Sequence, residues 1–382
     1  MMTRTLGLIA LCTHPWAGCG GGDGGEGEAE AEAEAEAEGE ACVPVGGDWM
    51  AETVANVGNS GSGGPLAVDG DGVVHMSLVE GCPSTIRHAF RTTAGAWDAE
   101  DVDILTTCRW LVPIGVGPDG ELHVVYEGSA IDGYRHAART AGGTWTVETI
   151  DDTGLNVGGG ASMVVDGDAG VHTSYYVSDV DVIKYGYLPS GGAWSLEEIA
   201  DTGLSQDSRI GLDAAGNVHV AYLDTFGFTA LNLATPPVGG GMWDIEPIFD
   251  GSENVDAPAL AVSDAGDLHV AYHRWEVDVL EYATRGASTW SAEPVEPATE
   301  GRPAPALAVD ETGVVHLAYY QGSASGPGEM RYTSSAADWA PESVDSVDGA
   351  GDSLAMRADH YGLHIGYMDL STDDVKYAHK CP

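Results

Sequence analysis

The chain has 382 residues, of which 60 are Asp or Glu and 15 are Lys or Arg, so its formal net charge is −45 at pH 7. This charge argues against a nucleic-acid partner, because a phosphate backbone is bound by a basic surface, and it disfavours direct docking on anionic lipid. With 54 Gly, 10 Trp and 15 Tyr against 4 Phe, the composition favours a turn-rich β protein over a helical one.

Residues 1–18 have the layout of a signal peptide. Arg4 supplies the positive charge, residues 6–11 form a short apolar core, and small residues precede Cys19. The sequence Trp16-Ala17-Gly18-Cys19 resembles the lipobox of bacterial lipoproteins, in which the Cys is lipidated and becomes the mature N-terminus. The resemblance implies an extracytoplasmic protein anchored to the bacterial cell envelope or surface, with ordinary secretion as the alternative. No other segment reaches the roughly 18 apolar residues of a membrane span, so we expect membrane contact only through this lipid.

Residues 19–46 form an acidic segment rich in Gly, Glu and Ala. Its run GGGDGGEGEAEAEAEAEAEGEA contains no aromatic or branched apolar residue, so it has no means to form a core. Glu at every second position places like charges four residues apart, which disfavours a helix. We therefore expect a disordered, self-repelling tether that leads into a folded domain spanning residues 47–382.

A repeat of 47 to 49 residues occupies this domain. A Trp that follows a small-residue turn recurs seven times, at Trp49, Trp97, Trp145, Trp194, Trp243, Trp290 and Trp339. A His that follows a Gly-containing turn alternates with it, at His75, His123, His172, His219, His269, His316 and His364. A period of about 40–50 residues is typical of the blades of a β-propeller.

One unit, residues 257–297, contains four short apolar runs bounded by Gly, Asp, Ser and Pro. We predict strand A at 259–263, strand B at 268–273, strand C at 279–284 and strand D from Trp290. No stretch has a helical period with caps. Four antiparallel strands in each of seven units predict an all-β, seven-bladed β-propeller.

The two ends of the repeat complete one blade. The domain begins with a D strand, residues 47–54, and ends with strands A, B and C at residues 354–356, 363–367 and 375–378. An open stack would leave both edges unpaired. We therefore predict that the N-terminal strand closes the ring by joining the C-terminal blade.

Two cysteine pairs are placed for disulfides. Cys42 precedes the first D strand and Cys381 follows the last C strand, so both flank the closing blade. Cys82 lies in a B–C turn and Cys108 follows the next D strand, and B–C and D–A connections share one face of a propeller. Exported proteins tolerate disulfides, so we predict the bonds Cys42–Cys381 and Cys82–Cys108.

The repeat resembles the BNR or Asp-box propellers of the sialidase-like superfamily. In that group the box Ser-x-Asp-x-Gly-x-Thr-Trp turns strand C into strand D. Residues 140–145 keep its Gly-x-Thr-Trp end and Gly192-Ala193-Trp194 keeps less, whereas the box Asp is missing throughout, so the boxes are degenerate. The resemblance covers residues 47–382 in layout and supports the fold more than an activity.

A sialidase site would need an Arg cluster, a nucleophilic Tyr with a Glu, and an acid–base Asp. Arg87, Arg135 and Arg331 recur at one position of strand C, but this strand lies far from the central axis, and we interpret their side chains as solvated surface. We find no catalytic constellation and expect a protein that acts by binding. A glycoside hydrolase or lyase with a site at the channel mouth is the alternative, and a structural envelope protein is the second alternative.

The repeated His and Asp residues raise the question of a metal. Seven His residues a blade apart do not converge on one ion, so we expect each imidazole to bond a turn Asp or the neighbouring blade. Asp69, Asp71, Asp166 and Asp168 resemble short calcium loops, but two carboxylates fall short of the six to eight oxygens that calcium needs. We expect no cofactor, with calcium at these residues as the alternative.

The candidate binding residues are those that break the repeat on the face that carries the B–C and D–A connections, here called the B–C face. They are Arg109, Trp110, Tyr176, Phe226, Phe228, His273, Arg274, Trp275 and Tyr320. Exposed aromatic rings stack on apolar surfaces and guanidinium groups bind polar groups. We therefore expect a monomer that binds a glycan or a cell-surface protein through this face, with loop packing as the alternative interpretation.

Overall fold

The computed structural model describes residues 48–58, 62–92, 94–108, 112–128, 133–153, 157–203, 207–225, 229–237, 241–249, 254–285, 289–297, 304–322, 327–348 and 354–381. The predicted signal peptide, the lipidation site Cys19 and the tether at 19–46 lie outside these ranges. Within them, no helix combines the length and apolar character needed to cross a bilayer. These residues form seven antiparallel sheets of four strands each.

The first strand, β1 (Met50–Asn56), belongs to the last blade. Blade 1 consists of β2 (Ser62–Val68), β3 (Val74–Glu80), β4 (Thr85–Arg91) and β5 (Trp97–Ile104). Blade 2 consists of β6 (Ile114–Val116), β7 (Leu122–Glu127), β8 (Tyr134–Arg139) and β9 (Thr146–Asp151). Blade 3 consists of β10 (Val157–Val165), β11 (Val171–Val177), β12 (Val182–Leu188) and β13 (Ser195–Asp201).

Blade 4 consists of β14 (Ser208–Leu212), β15 (Val218–Asp224), β16 (Ala230–Thr235) and β17 (Asp244–Phe249). Blade 5 consists of β18 (Val255–Val262), β19 (Leu268–Arg274), β20 (Val279–Arg285) and β21 (Trp290–Pro297). Blade 6 consists of β22 (Ala306–Val309), β23 (Val315–Gly322), β24 (Pro327–Ser334), a 3₁₀ turn (Ser335–Ala337) and β25 (Glu342–Asp348). Blade 7 consists of β26 (Ala355–Asp359), β27 (Gly362–Asp369), β28 (Asp374–Lys380) and β1.

The predicted closure of the ring is confirmed. Strand β1 pairs antiparallel with β28, from Met50 opposite His379 to Asn56 opposite Asp374. The innermost strands of successive blades contact one another in cyclic order, and β26 contacts β2 as the other neighbours do. The chain is therefore an all-β, seven-bladed propeller in which the N-terminal strand completes the C-terminal blade.

Strand A of blade 5 is longer than predicted. It begins at Val255, four residues before the predicted start at 259, and the pairing with strand B shifts register between Asp256 and Ala259. Ala257 adopts a φ of 48° at this point. The Asp-Ala-Pro sequence that suggests a loop is therefore a β-bulge inside the strand.

The B strands form the core because each blade is packed between two neighbours. All seven residues of β11 are buried, and six of the seven residues of β3 are buried. The outer strand β9 is exposed at four of its six positions. Apolar clusters accordingly join adjacent blades, as where Met330 of blade 6 packs with Ile365 of blade 7.

A Trp–Glu hydrogen bond ties neighbouring blades at their outer strands. The indole N–H of the Trp that opens strand D donates over 2.7 to 3.2 Å to a Glu of the preceding blade, and the pairs are Trp49–Glu342, Trp145–Glu100, Trp194–Glu148, Trp243–Glu197, Trp290–Glu246 and Trp339–Glu293. Each Glu stands three residues after the Trp of its own blade. At the seventh junction Glu52 accepts a hydrogen bond from Arg91 instead. The indole N–H of Trp97 has no hydrogen-bond partner among the described residues.

A second contact between blades lies closer to the axis. A strand-B Tyr hydroxyl and a strand-C cation converge on an acid of the preceding strand D, and these sets are Tyr126–Arg135–Asp103, Tyr175–Lys184–Asp151, Tyr319–Arg331–Glu296 and Tyr367–Lys376–Asp345. The interpretation of strand-C arginines as solvated surface is therefore wrong for Arg135 and Arg331. Arg87 pairs with Glu80 and Asp101 of its own blade.

The Cys82–Cys108 disulfide is confirmed, and it joins the B–C turn of blade 1 to the following D–A connection. The two residues are 26 positions apart, and closing a loop of this length is worth about 3 kcal/mol in the chain-entropy account. Cys381 is also disulfide-bonded, but its predicted partner Cys42 lies outside the described residues.

Candidate functional site

Five of the nine candidate binding residues fall within the described part of the chain. Arg109, Trp110, Phe226 and Phe228 lie outside it. The other five occupy equivalent places at the end of a B strand or in the B–C turn that follows it, and they are Tyr176, His273, Arg274, Trp275 and Tyr320. They belong to blades 3, 5 and 6 and therefore do not form one contiguous cluster.

Three of these side chains are buried, which contradicts the expectation that they are exposed for binding. Tyr176, His273 and Tyr320 have exposed fractions of only 2 to 3%. The Tyr176 hydroxyl lies 2.5 Å from Asp181 Oδ1 and 2.8 Å from the carbonyl oxygen of Gly203, so it fastens its B–C turn to the next D–A connection. Burial, with the Asp181 carboxylate, raises the pKa of this Tyr. These three side chains therefore pack inside the protein and are not available on the surface.

Among the described members of the predicted set, Trp275 is the aromatic side chain that is exposed. Half of its surface, 50%, is open to solvent. It opens the B–C turn of blade 5, and its backbone N–H donates to the carbonyl of Asn254 over 3.0 Å. Its ring centroid lies 5.5 Å from that of His273. The indole therefore projects from a turn that is fixed at its base.

Asn254 and His273 provide the support of this turn. The side-chain amide and backbone N–H of Asn254 each donate to Glu276 over 2.9 Å. The two ring nitrogens of His273 lie 3.2 Å from Asp256 and 3.0 Å from Asp278. Burial by itself would lower the pKa of His273, but hydrogen bonds to these two carboxylates outweigh it and raise the pKa. The His273 ring, bonded to two acids, thus joins strand A to the B–C turn that begins with Trp275.

Arg274 acts inside the blade. Its Nη1 donates to Glu281 over 2.7 Å, and the same carboxylate accepts the Tyr272 hydroxyl over 2.9 Å. Its guanidinium also lies 5.6 Å from the ring of Phe249 in blade 4. Through these contacts Arg274 joins two blades. Of these neighbouring residues, Trp275 is the one whose side chain is exposed for contact with a ligand.

Further apolar side chains are exposed in the B–C turns of alternate blades. Val180 of blade 3, Val277 of blade 5 and Leu370 of blade 7 each expose 45 to 49% of their surface. On the opposite face, Met242 in the C–D connection of blade 4 is 88% exposed. Of these side chains, Val277 lies in the same turn as the indole of Trp275, and Met242 offers a comparison on the other face.

The candidate calcium residues stabilise A–B turns. Asp69 Oδ1 accepts the backbone N–H of Asp71 over 3.0 Å, and Asp166 Oδ1 accepts that of Asp168 over 2.8 Å. Burial would raise the pKa of Asp69, but His75 and the backbone N–H groups of Val73 and Asp71 together outweigh it, and the pKa is lowered. Within the described ranges, no three His, Cys, Asp or Glu side chains are grouped so as to hold a metal ion.

The repeated His side chains have partners within their own blades. In three blades Nε2 lies 3.0 to 3.2 Å from a turn Asp, as the sequence predicts, and these pairs are His75–Asp69, His172–Asp166 and His316–Asp310. In six blades Nδ1 lies 2.6 to 3.0 Å from a facing strand-C side chain, and these side chains are His88, His136, Tyr185, Tyr282, Tyr332 and Tyr377. Six of the seven repeated His side chains are therefore bonded within their own blades, and His219 of blade 4 lies 3.8 Å from Asp213.

The A strands of all seven blades enclose a central channel of about 550 Å³. Its described lining is mostly small and apolar, and it carries three charged side chains, Arg209, Arg357 and Asp359. Burial would raise the pKa of Asp359, but His364 and the backbone N–H groups of Tyr361 and Gly362 together outweigh it, and the pKa is lowered. The described lining therefore offers two guanidinium groups and one carboxylate to a ligand in the channel.

No protein-family model matches the sequence, and no curated protein matches it significantly. Among solved structures, an ulvan lyase of polysaccharide lyase family PL25 has a TM-score of 0.61 at 11% identity, over 88% of this chain and 95% of that chain. An ulvan lyase bound to -[GlcA(1-4)Rha3S]- has a TM-score of 0.58 at 10% identity, over 88% and 95%. A mutant of AofleA from Arthrobotrys oligospora has a TM-score of 0.52 at 11% identity, over 79% and 93%. Such identities establish likeness of fold.

Proposed function

We propose that this chain is an exported, lipid-anchored and monomeric propeller that binds a glycan at the cell surface without catalysis. The observation that carries the proposal is the half-exposed indole of Trp275 on a turn fixed by His273 and Asn254. A flat ring held in one orientation loses little entropy when it stacks on the apolar face of a sugar. The B–C face of blade 5 is therefore the proposed binding surface.

Two further features support a sugar ligand. Two carboxylates, those of Glu276 and Asp278, lie in the same turn as the indole, and such acceptors suit the hydroxyl groups of a sugar. A solved structure of similar fold, that of an ulvan lyase, is bound to -[GlcA(1-4)Rha3S]-. The alternative ligand is a protein that docks on the same apolar turns, and an experiment has to distinguish it from a glycan.

Replacing Trp275 with Ala is expected to weaken glycan binding by about tenfold or more, because losing a central aromatic contact of a binding surface costs about 2 kcal/mol. Binding of the purified chain to a glycan array, followed by calorimetry with the best ligand, measures this loss. Met242→Ala is the matched control, since it removes an exposed apolar side chain on the opposite face.

Equal binding by the wild-type and Trp275→Ala chains would contradict the assignment of this surface. An array without any bound glycan would remove the sugar ligand and leave a protein partner or a structural role. Release of shortened or unsaturated products from a bound oligosaccharide would replace the proposal with the hydrolase or lyase alternative.

The proposed anchor has its own test. Cys19→Ser, expressed in a bacterial host, is expected to abolish incorporation of labelled palmitate and to move the protein into the soluble fraction. Cys12→Ser changes another cysteine of the leader and is expected to leave labelling intact. Equal labelling of the wild-type and Cys19→Ser chains would show that Cys19 carries no lipid.

A further inference from the structure

Arg357 stands apart from the other cations of the described residues. The remaining eleven Lys and Arg side chains of this part of the chain each lie within 4.0 Å of a carboxylate. Arg357 has no such ion pair, and its Nη1 lies 3.4 Å from the carbonyl oxygen of Met356. The sequence contains 60 acids and 15 bases, so a cation without a counter-ion is the exception here.

The position of Arg357 in the ring explains why its side chain has space. In β26 it lies opposite His364 of strand B. In the other six blades the residue opposite the repeated His is small or β-branched, and these residues are Ala67, Gly115, Val164, Gly211, Ala261 and Ala308. One long, exposed cation therefore enters the channel at a level where six blades contribute short side chains.

Arg209 supplies a second guanidinium at another depth. In β14 it lies opposite Ala221, two residues beyond His219, so it stands about 7 Å further along the channel. The matching residues of four other blades are short, namely Ser162, Ala259, Ala306 and Ala355. Arg209 has a loose ion pair, 3.7 Å from Asp207. Blades 4 and 7 are three positions apart in a ring of seven, so the two Arg residues reach the channel from opposite sides.

The described channel lining contains few acidic side chains that could neutralise these two cations. It contains one carboxylate, that of Asp359, and this group lies 3.4 Å from His364. A guanidinium remains protonated in proteins. Arg357 lines the channel without an ion pair to a described residue, so its N–H groups are available for charged hydrogen bonds to an anion.

We propose that the central channel binds a small anionic ligand through its carboxylate or sulfate group, with Arg357 as the main binding residue and Arg209 as the second. A volume of about 550 Å³ lies in the range of sites for small molecules. This site is separate from the surface around Trp275, and it requires neither the proposed glycan binding nor the lipid anchor. The anion is either borne by a sugar or a free oxyanion, and the test separates the two.

Calorimetric titration of the full chain in low-salt chloride buffer tests the proposal with three probes: glucuronate, inorganic sulfate and neutral glucose. Glucuronate, sulfate or both are expected to bind, and glucose is expected to bind at least about tenfold more weakly. Arg357→Gln is expected to weaken anion binding about tenfold to a hundredfold, because it removes a charged hydrogen bond. Arg209→Gln should weaken it less, and Arg87→Gln, which changes an outer-strand Arg, should leave it unchanged.

Arg357→Lys guards against a folding defect, since it keeps the charge but loses the two-pronged guanidinium, and it should bind with intermediate affinity. Binding of glucuronate without sulfate identifies a sugar-borne carboxylate, and binding of sulfate alone identifies a free oxyanion. Equal affinity of the wild-type and Arg357→Gln chains, or equal affinity for glucuronate and glucose, would overturn the proposal. Trp275→Ala should not change anion binding, so failure of the proposed surface leaves this test intact.

Discussion

Replacing Asp151 with Ala is expected to lower the free energy of unfolding by about 3–5 kcal/mol, the usual cost of breaking a buried ion pair from one side. The Asp151 side chain is 1% exposed and that of Lys184 is 12% exposed. One oxygen of Asp151 accepts from Lys184 Nζ and from the Tyr175 hydroxyl, each over 2.9 Å. Removing the carboxylate leaves the Lys184 ammonium enclosed between blades 2 and 3 without its counter-ion.

Urea unfolding followed by circular dichroism measures this loss. The double variant Asp151→Ala with Lys184→Met is the control, because removing both charges is expected to recover much of the stability. Burial would raise the pKa of Asp151, but the bonds from Lys184 and Tyr175 outweigh it and the pKa is lowered. The carboxylate therefore stabilises the fold above its ordinary pKa of 3.8, and this contribution is lost as the pH falls through the lowered value. A loss below about 1 kcal/mol would equate the pair with a surface salt bridge.

The closed ring could be predicted because the nearly constant spacing of the repeat fixes the position of each strand within its blade. Trp and His alternate at a nearly constant spacing, so each unit has four strands in known order, and the remnants at the two ends add up to one blade. The pairing of β1 with β28 follows from this count. What the spacing does not reveal is how blades contact one another, because the partner of each Trp lies one blade back, as Glu197 does for Trp243. The Glu three residues after every Trp was the available signal.

Exposure on the B–C face could not be predicted by the same means. Alternation separates buried from exposed side chains only where one face of a sheet meets water, and both faces of a blade are packed. Tyr176 and Tyr320 therefore remain buried at the ends of their strands. Trp275 is exposed because it is the first residue beyond β19, where the chain leaves the sheet.

The place of Arg357 in the channel was hidden by a change in spacing. The residue opposite the repeated His stands eight positions before it in six blades, as Ala308 does for His316. Arg357 stands seven positions before His364, because the A–B turn of blade 7 is one residue shorter. An alignment of the blades by this spacing of eight residues therefore places Met356, and not Arg357, opposite His364. Only the strand register reveals that the long cation replaces a short side chain.

Acidification from pH 6.5 to about 4 is expected to destabilise the ring through buried His side chains. In blade 2, His123 Nδ1 lies 3.0 Å from His136 Nε2, and His136 Nδ1 lies 3.0 Å from Glu148. One proton on each ring satisfies both bonds, and His123 Nε2 has no hydrogen-bond partner among the described residues. Burial, followed by the neighbouring His136, lowers the pKa of His123 to about 4, and burial also lowers the pKa of His136.

The sign of the effect follows from proton binding in the two states. Unfolded His takes up a proton below its ordinary pKa of 6.5, whereas folded His123 does not do so until about pH 4. The unfolded state therefore binds more protons in this window, and the free energy of unfolding falls by up to about 1.4 kcal/mol per pH unit for each such His. Urea unfolding at several pH values between 7 and 4.5 measures the slope before most carboxylates titrate.

His136→Tyr provides the sharpest variant, because four other blades already place Tyr at this position. Tyr185, Tyr282, Tyr332 and Tyr377 each bond the repeated His over 2.6 to 2.7 Å. The substitution removes one titrating ring and is expected to reduce the pH slope by up to about 1.4 kcal/mol per pH unit. His360→Gln changes an exposed turn residue and should leave the slope unchanged. A wild-type stability that stays constant from pH 7 to pH 5 would show that these buried rings accept protons without cost.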